Sequence, residues 1–204
     1  PMLRIHTKFL SLFVLMLSSM QVSAFEIDGS RWPTGEIEFY VALDGTAASG
    51  ISWNAAFIAA MNYWNDETSF NFILREQYRD PCLSDGLNSV GFSDNFCGSE
   101  FGKNTLAVTV QSFQSAILGE PTIIEADIII DQNNEFNVYD GRLVQFGIQG
   151  LDLRRIALHE LGHVIGLDHE PSSAAIMAPV ISNLDRLQAD DIAGAQMLYD
   201  GVIN

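Results

Sequence analysis

His159-Glu160-Leu161-Gly162-His163-Val164-Ile165-Gly166-Leu167-Asp168-His169 is the stretch on which the fold turns. His159 and His163 are four apart, so on a helix their rings leave one face, one turn apart. Two imidazoles so placed can share a metal ion at about 2.0–2.1 Å. Glu160 follows the first imidazole and can lean over the open side of that ion. Gly166 tolerates a left-handed turn, so the helix can end there and the chain can reverse, bringing His169 in from another direction. Three imidazoles leave a fourth position for water, the pattern of a catalytic rather than a structural zinc. Imidazole suits zinc, copper or nickel. Zinc is favoured, being redox-silent and tolerant of a fifth ligand. A zinc-held water has its pKa lowered to about 7, and Glu160 is the residue type that would take its proton. The chain has four His, three of them at these offsets; solvated or core histidines on a helix end are the weaker reading.

Working outward, the decisive helix begins near residue 151 and runs to Gly166, with Pro171 beyond it. An irregular stretch follows to residue 187. A last helix covers 189–199, with Asp190 and Asp191 in its first turn, where acids suit the helix dipole. Upstream, residues 36–43 (EIEFYVAL) alternate and are rich in β-formers, so they read as a strand that Asp44-Gly45 ends. Ser52 can cap a helix to about residue 66. Trp53, Phe57, Ala60, Met61 and Trp64 fall on one face of it and read as core rather than a ligand platform. Residues 70–74, 105–113 and 123–131 read as further strands. Residues 79–103 are rich in Asp, Asn, Ser and Gly and read as a long loop around a short strand at 89–92. Strands with three helices, without a linker or repeat, make one domain.

The chain has 204 residues, 48 % of them hydrophobic, enough for a core. Ten Lys and Arg face 26 Asp and Glu, giving a formal charge of −16. Such a chain repels phosphate backbones, which excludes nucleic acid as a partner. Residues 1–24 read as a signal peptide: a basic front (Arg4, His6, Lys8), an apolar run over 9–20 and a small-residue cleavage site at Val22-Ser23-Ala24. The apolar run is too short to span a bilayer, so no membrane association is expected after cleavage. Cleavage places Phe25 first, starts the folded domain at 25–204 and removes two cations. The product is read as a secreted monomer, extracellular, or periplasmic in a Gram-negative bacterium. Cys82 and Cys97 are the two Cys. In an exported chain an even count points to a disulfide, with free thiols or metal ligands the alternatives.

These residues resemble the metzincin zinc peptidases, most closely the matrixins that include the matrix metalloproteinases. Ala175-Ile176-Met177-Ala178-Pro179 is similar to their Met-turn, with Met177 as a packed floor beneath the zinc and not a ligand; ordinary core is the plainer reading of that residue. The last helix is similar to theirs too, and the order of elements fits over about 30–201. The resemblance implies an α+β metzincin fold, with a twisted five-stranded mixed sheet, three helices and a zinc cleft. It implies that peptide substrate lies extended and pairs with an edge strand. By order along the chain that edge is residues 105–113, with Leu106 and Ala107 nearest the zinc; an ordinary internal strand is the alternative. Pro179, Val180 and Ile181 correspond to the wall of the S1′ pocket.

The chain departs from the matrixin pattern at several points. Glu170 stands where matrixins usually have Ser, as in astacins, yet Pro179 occupies the position of the astacin Tyr. No histidine remains for a second, structural zinc, since His6 lies in the leader. No cysteine-switch segment lies between Ala24 and the first strand, so export in active form, or restraint by a partner, is expected. The resemblance also implies an ion pair between a free Phe25 amine and Asp190, against the plainer reading of Asp190 as a helix-dipole acid. Calcium is a further possible cofactor at Asp127, Asp131 and Asn133, where oxygen donors crowd a strand end, although a solvated turn explains the same residues. The expected activity is endopeptidase. A zinc hydrolase of a non-peptide amide, such as a cell-wall fragment, and a non-catalytic secreted metal-binding protein are the other readings; Glu160 argues against the last.

Overall fold

The computed structural model describes residues 29–115, 119–143, 150–171 and 174–202. The leader, its cleavage site and Phe25 lie outside them. Among the described residues no helix is long and apolar enough to cross a membrane.

Strand β1 (Glu36–Val41) alternates in burial, with Ile37, Phe39 and Val41 inward. Helix α1 (Trp53–Glu67) starts where the Ser52 side chain accepts Ala55 N–H, as its sequence requires. Its buried face is Ala56, Phe57, Ala60, Met61 and Trp64. Trp53, placed in that face by spacing, instead lies half-buried at the helix start, its ring 6.3 Å from that of Phe92. Strand β2 (Asn71–Arg75) pairs parallel with β1. Strand β3 (Asn88–Ser93) answers to the short strand expected at 89–92, and it lies in the middle of the sheet, pairing with β1 on one side. Strands β4 (Ala107–Gln114) and β5 (Thr122–Asp131) pair antiparallel. The five-stranded order is β2-β1-β3-β5-β4, so β4 is an edge, as chain order suggests. Three parallel pairings and one antiparallel make the sheet mixed.

The loops on either side of β3 are held at two points. Cys82 and Cys97 form a disulfide with Cα atoms 5.1 Å apart. The buried Glu125 of β5 accepts Asp85 N–H at 2.8 Å and Gly86 N–H at 2.7 Å. Strands β6 (Phe136–Asn137) and β7 (Leu151–Asp152) form a two-residue parallel pair unforeseen from sequence, because such a short pairing has no periodicity to read. It delivers the chain to helix α2 (Leu153–Val164). Helix α2 packs on α1, where Trp64 Nε1–H donates to Leu158 O at 3.0 Å. Helix α3 (Ala189–Tyr199) closes the domain, its Tyr199 hydroxyl donating to Ile165 O at 2.7 Å.

Candidate metal centre

Helix α2 is anchored at its start by a buried ion pair. Asp152 caps the helix by accepting Arg154 N–H and pairs with Arg155, both residues almost fully buried. Burial raises the Asp152 pKa, and the Arg155 guanidinium opposes that shift. Arg155 also donates to Leu184 O at 3.0 Å and to Gly141 O, tying one loop before the helix and one after it to α2.

The helix ends where the sequence places its stop. Gly166 has φ +98°, and a Cβ there would lie 2.6 Å from Ser30 O. Gly166 N–H donates to His163 O at 2.9 Å and Leu167 N–H to Gly162 O at 3.0 Å, closing the last turn. The reversal returns His169 toward α2. The Nε2 atoms of His159 and His163 are 3.1 Å apart, those of His159 and His169 3.1 Å, and those of His163 and His169 3.3 Å.

These separations match what one tetrahedral ion imposes: ligands at about 2.0–2.1 Å stand roughly 3.3 Å from each other. The tautomers fit as well. His159 Nδ1–H donates to Ile176 O and His163 Nδ1–H to Leu167 O, each at 2.8 Å, which leaves both Nε2 lone pairs facing the common point. Burial lowers the His159 pKa, favouring the neutral ring a metal needs. The donor set therefore fits zinc. Among the described residues, this triad is the group of three or more His, Cys, Asp or Glu that could hold a metal ion.

Glu160 is buried beside the triad, and burial raises its pKa while the His159 charge and a hydrogen bond from Thr109 oppose the shift. The cleft around these groups has a volume of about 1230 Å³. It is lined by Leu106, Ala107 and Thr109 on one side and Pro179, Val180 and Ile181 on the other. Val180 is 75 % exposed. Leu106 O accepts Asp131 N–H at 2.9 Å. By antiparallel alternation the backbone groups of Ala107 and Thr109 then face away from β5, toward the open edge.

Met177 is 2 % exposed and packs against α2 at Gly162, where a Cβ would lie 2.2 Å from its sulfur. Its turn is fastened by Asp191, whose carboxylate accepts Ile176, Met177 and Gln188 N–H at 3.0, 3.0 and 2.7 Å. Sequence reasoning placed Asp191 only as a dipole acid. Its burial, which raises its pKa, was the missing signal.

Asp127 and Asp131 stand four residues apart on strand β5, roughly 13 Å along it. Asp127 accepts the Ser89 N–H and hydroxyl at 2.9 and 2.7 Å, and Asp131 accepts Asn133 N–H at 3.0 Å in a side-chain turn.

A sequence model of the matrixins, peptidase family M10, matches residues 31–200. The chain is 28 % identical over 174 residues to metalloendoproteinase 2-MMP of Arabidopsis thaliana, covering 83 % of this chain and 43 % of that protein. It is 24 % identical over 176 residues to karilysin of Tannerella forsythia, covering 86 % of this chain and 34 % of that one. A shorter match, 48 % over 54 residues, links 25 % of the chain to 10 % of matrix metalloproteinase-19 of Mus musculus. The chain thus spans less than half the length of these relatives. With three imidazoles converging in one cleft and the family match covering residues 31–200, the chain belongs to the matrixin family of metallopeptidases.

Proposed function

We propose that this domain is an exported zinc endopeptidase. The observation that carries the reading is the convergence of three Nε2 atoms within 3.3 Å of one another beside a buried carboxylate. His159, His163 and His169 would hold the ion through Nε2. Bound zinc supplies a Lewis acid that polarises a peptide carbonyl and acidifies a water toward neutral pH. Glu160 is the general base: a carboxylate oxygen takes the proton of the attacking water and returns it to the leaving nitrogen.

An extended peptide adds to β4 as a further strand, through backbone groups near Leu106 and Ala107. Pro179, Val180 and Ile181 wall the pocket for an apolar side chain of the substrate, and Met177 floors the metal site. The relatives' names support a peptide substrate, and the open edge favours it over a compact amide. Export rests on the leader and on the disulfide, which persists in oxidising compartments. Calcium at Asp127, Asp131 and Asn133 is the weaker cofactor reading, since both carboxylates already have internal donors.

The test is casein or peptide-library cleavage by the purified domain with zinc quantified. Cleavage stopped by a chelator, and abolished in Glu160→Ala with zinc retained, supports the reading. A zinc-loaded wild type inert on every peptide but active on a cell-wall amide would falsify it. Mass analysis of the exported product should find Phe25 first.

A further inference from the structure

Thr109 lies on the open edge strand β4, yet its side chain turns toward α2. Its Oγ1 is 2.7 Å from Glu160 Oε2 and 3.3 Å from Glu160 O. A hydroxyl has one proton, so the shorter contact, to the carboxylate, takes it. Bonds to an ionised acceptor are short and strong. Among the described residues this is the only side-chain hydrogen bond that Glu160 receives. Two residues along the strand, Gln111 Nε2–H donates to His163 O at 2.7 Å. The strand is thus pinned to the metal helix at two points, and one of them is the base itself.

We infer that Thr109 is a positioning residue for Glu160. A Glu side chain has three rotatable bonds, and a base that swings loses the alignment on which its effect depends. The Thr109 hydroxyl holds Oε2 and leaves Oε1 as the oxygen that handles the proton. The backbone groups of the same residue face the open edge. One residue therefore joins the strand that receives the peptide to the carboxylate that acts on it. This role rests on the endopeptidase reading.

Thr109→Val is isosteric and removes only the hydroxyl; Thr109→Ser keeps it. In the zinc-loaded domain T109V should lower kcat about 10-fold, part of the roughly 10²–10⁴ that a placed base supplies. KM should stay within about twofold, since peptide binding is not touched. T109S should restore most of kcat. Zinc per chain should be equal in all three, and a crystal structure of T109V should show the Glu160 carboxyl rotated from its wild-type position. Should T109V prove insoluble, T109A against T109S gives the same comparison. If wild type cleaves and T109V matches it in kcat, the role is overturned. It is also overturned if T109S loses as much as T109V, because strand packing then explains the loss. A wild type that cleaves no peptide overturns the endopeptidase reading, and this role with it.

Discussion

Met177 hangs from Asp191: the methionine N–H donates to Asp191 Oδ1 at 3.0 Å, and the neighbouring Ile176 N–H donates to Oδ2 at 3.0 Å. Ile176 O in turn accepts His159 Nδ1–H at 2.8 Å. The first residues of α3 therefore stand two hydrogen bonds from the first zinc-ligand candidate. In Asp191→Asn the amide NH₂ meets a backbone donor, so a buried N–H loses its acceptor. The expected cost is about 2 kcal/mol, or roughly 4–8 °C in Tm for a domain of this size. Thermal unfolding of the zinc-loaded protein, with zinc affinity by chelator competition, checks it; both should fall. An unchanged Tm removes the clamp.

Gly162 and Met177 are coupled by lack of space. Gly162→Ala would set a Cβ 2.2 Å from the Met177 sulfur and 3.2 Å from the Trp64 ring. Overpacking of this kind costs about 1–3 kcal/mol. Met177→Ala alone leaves a cavity. The double variant should be more stable than the sum of the two losses predicts, by at least about 0.5 kcal/mol. Urea unfolding of the four proteins measures the coupling, and strict additivity would mean the contact is not felt.

Zinc should stabilise the fold, since three imidazoles converge only in the folded chain. At a thousandfold excess over Kd the gain is about 4 kcal/mol. Scanning calorimetry with and without the metal should show it for wild type and not for His163→Ala. Equal shifts in both proteins would place the metal elsewhere.

Asp127 gives the domain a pH dependence of its own. Burial pushes its pKa up to about 7, against the hydrogen bonds from Ser89 and with the Glu125 and Asp85 charges adding to the rise. A folded pKa above the unfolded one means that the native state binds the extra proton between about pH 4 and 7. Stability from this group is then full below pH 4 and is lost as the pH rises to 7, by at most about 1.4 kcal/mol per unit. Asp127→Asn, which mimics the neutral acid, should flatten that slope relative to wild type in denaturant titrations. Parallel curves would show that Asp127 is ionised throughout.

The disulfide closes a loop with 15 residues of sequence separation. Chain entropy assigns such a bridge about 3 kcal/mol. Cys82→Ser with Cys97→Ser should lower Tm by roughly 6–12 °C while peptide cleavage at 25 °C persists, because residues 82–97 are not among those lining the cleft. Loss of cleavage in a folded variant would tie the loop to the cleft.

Much of the site was legible because chemistry restricts spacing. Three imidazoles can meet only if the helix stops at a residue that accepts φ +98°, and Gly166 announces that stop. The bounds of α3 and the Ser52 cap were readable for the same local reasons. The central place of strand β3 was not. Its Asn88 and Ser89 look like loop residues, and they are buried only because distant groups satisfy them: Asn88 donates to Glu38 O and accepts Ala126 N–H, while Ser89 donates to Asp127. Polar pairing across strands leaves no trace in a hydrophobic pattern. Asp191 and Thr109 were missed alike, since each acts on a group far along the chain.

The Arg155 anchor constrains how this cleft could be retargeted. Its guanidinium is buried with Asp152 and reaches the carbonyls of Gly141 and Leu184, the latter shortly after the residues 178–181 that line the cleft. Swapping Ile181 or Val180 for another side chain leaves that scaffold intact. Grafting a loop of different length between residues 178 and 184 would pull the Leu184 acceptor away and leave a buried guanidinium N–H without its partner, a penalty of about 1–3 kcal/mol. The cleft lining at 178–181 is therefore expected to tolerate side-chain exchange and to resist loop transplantation.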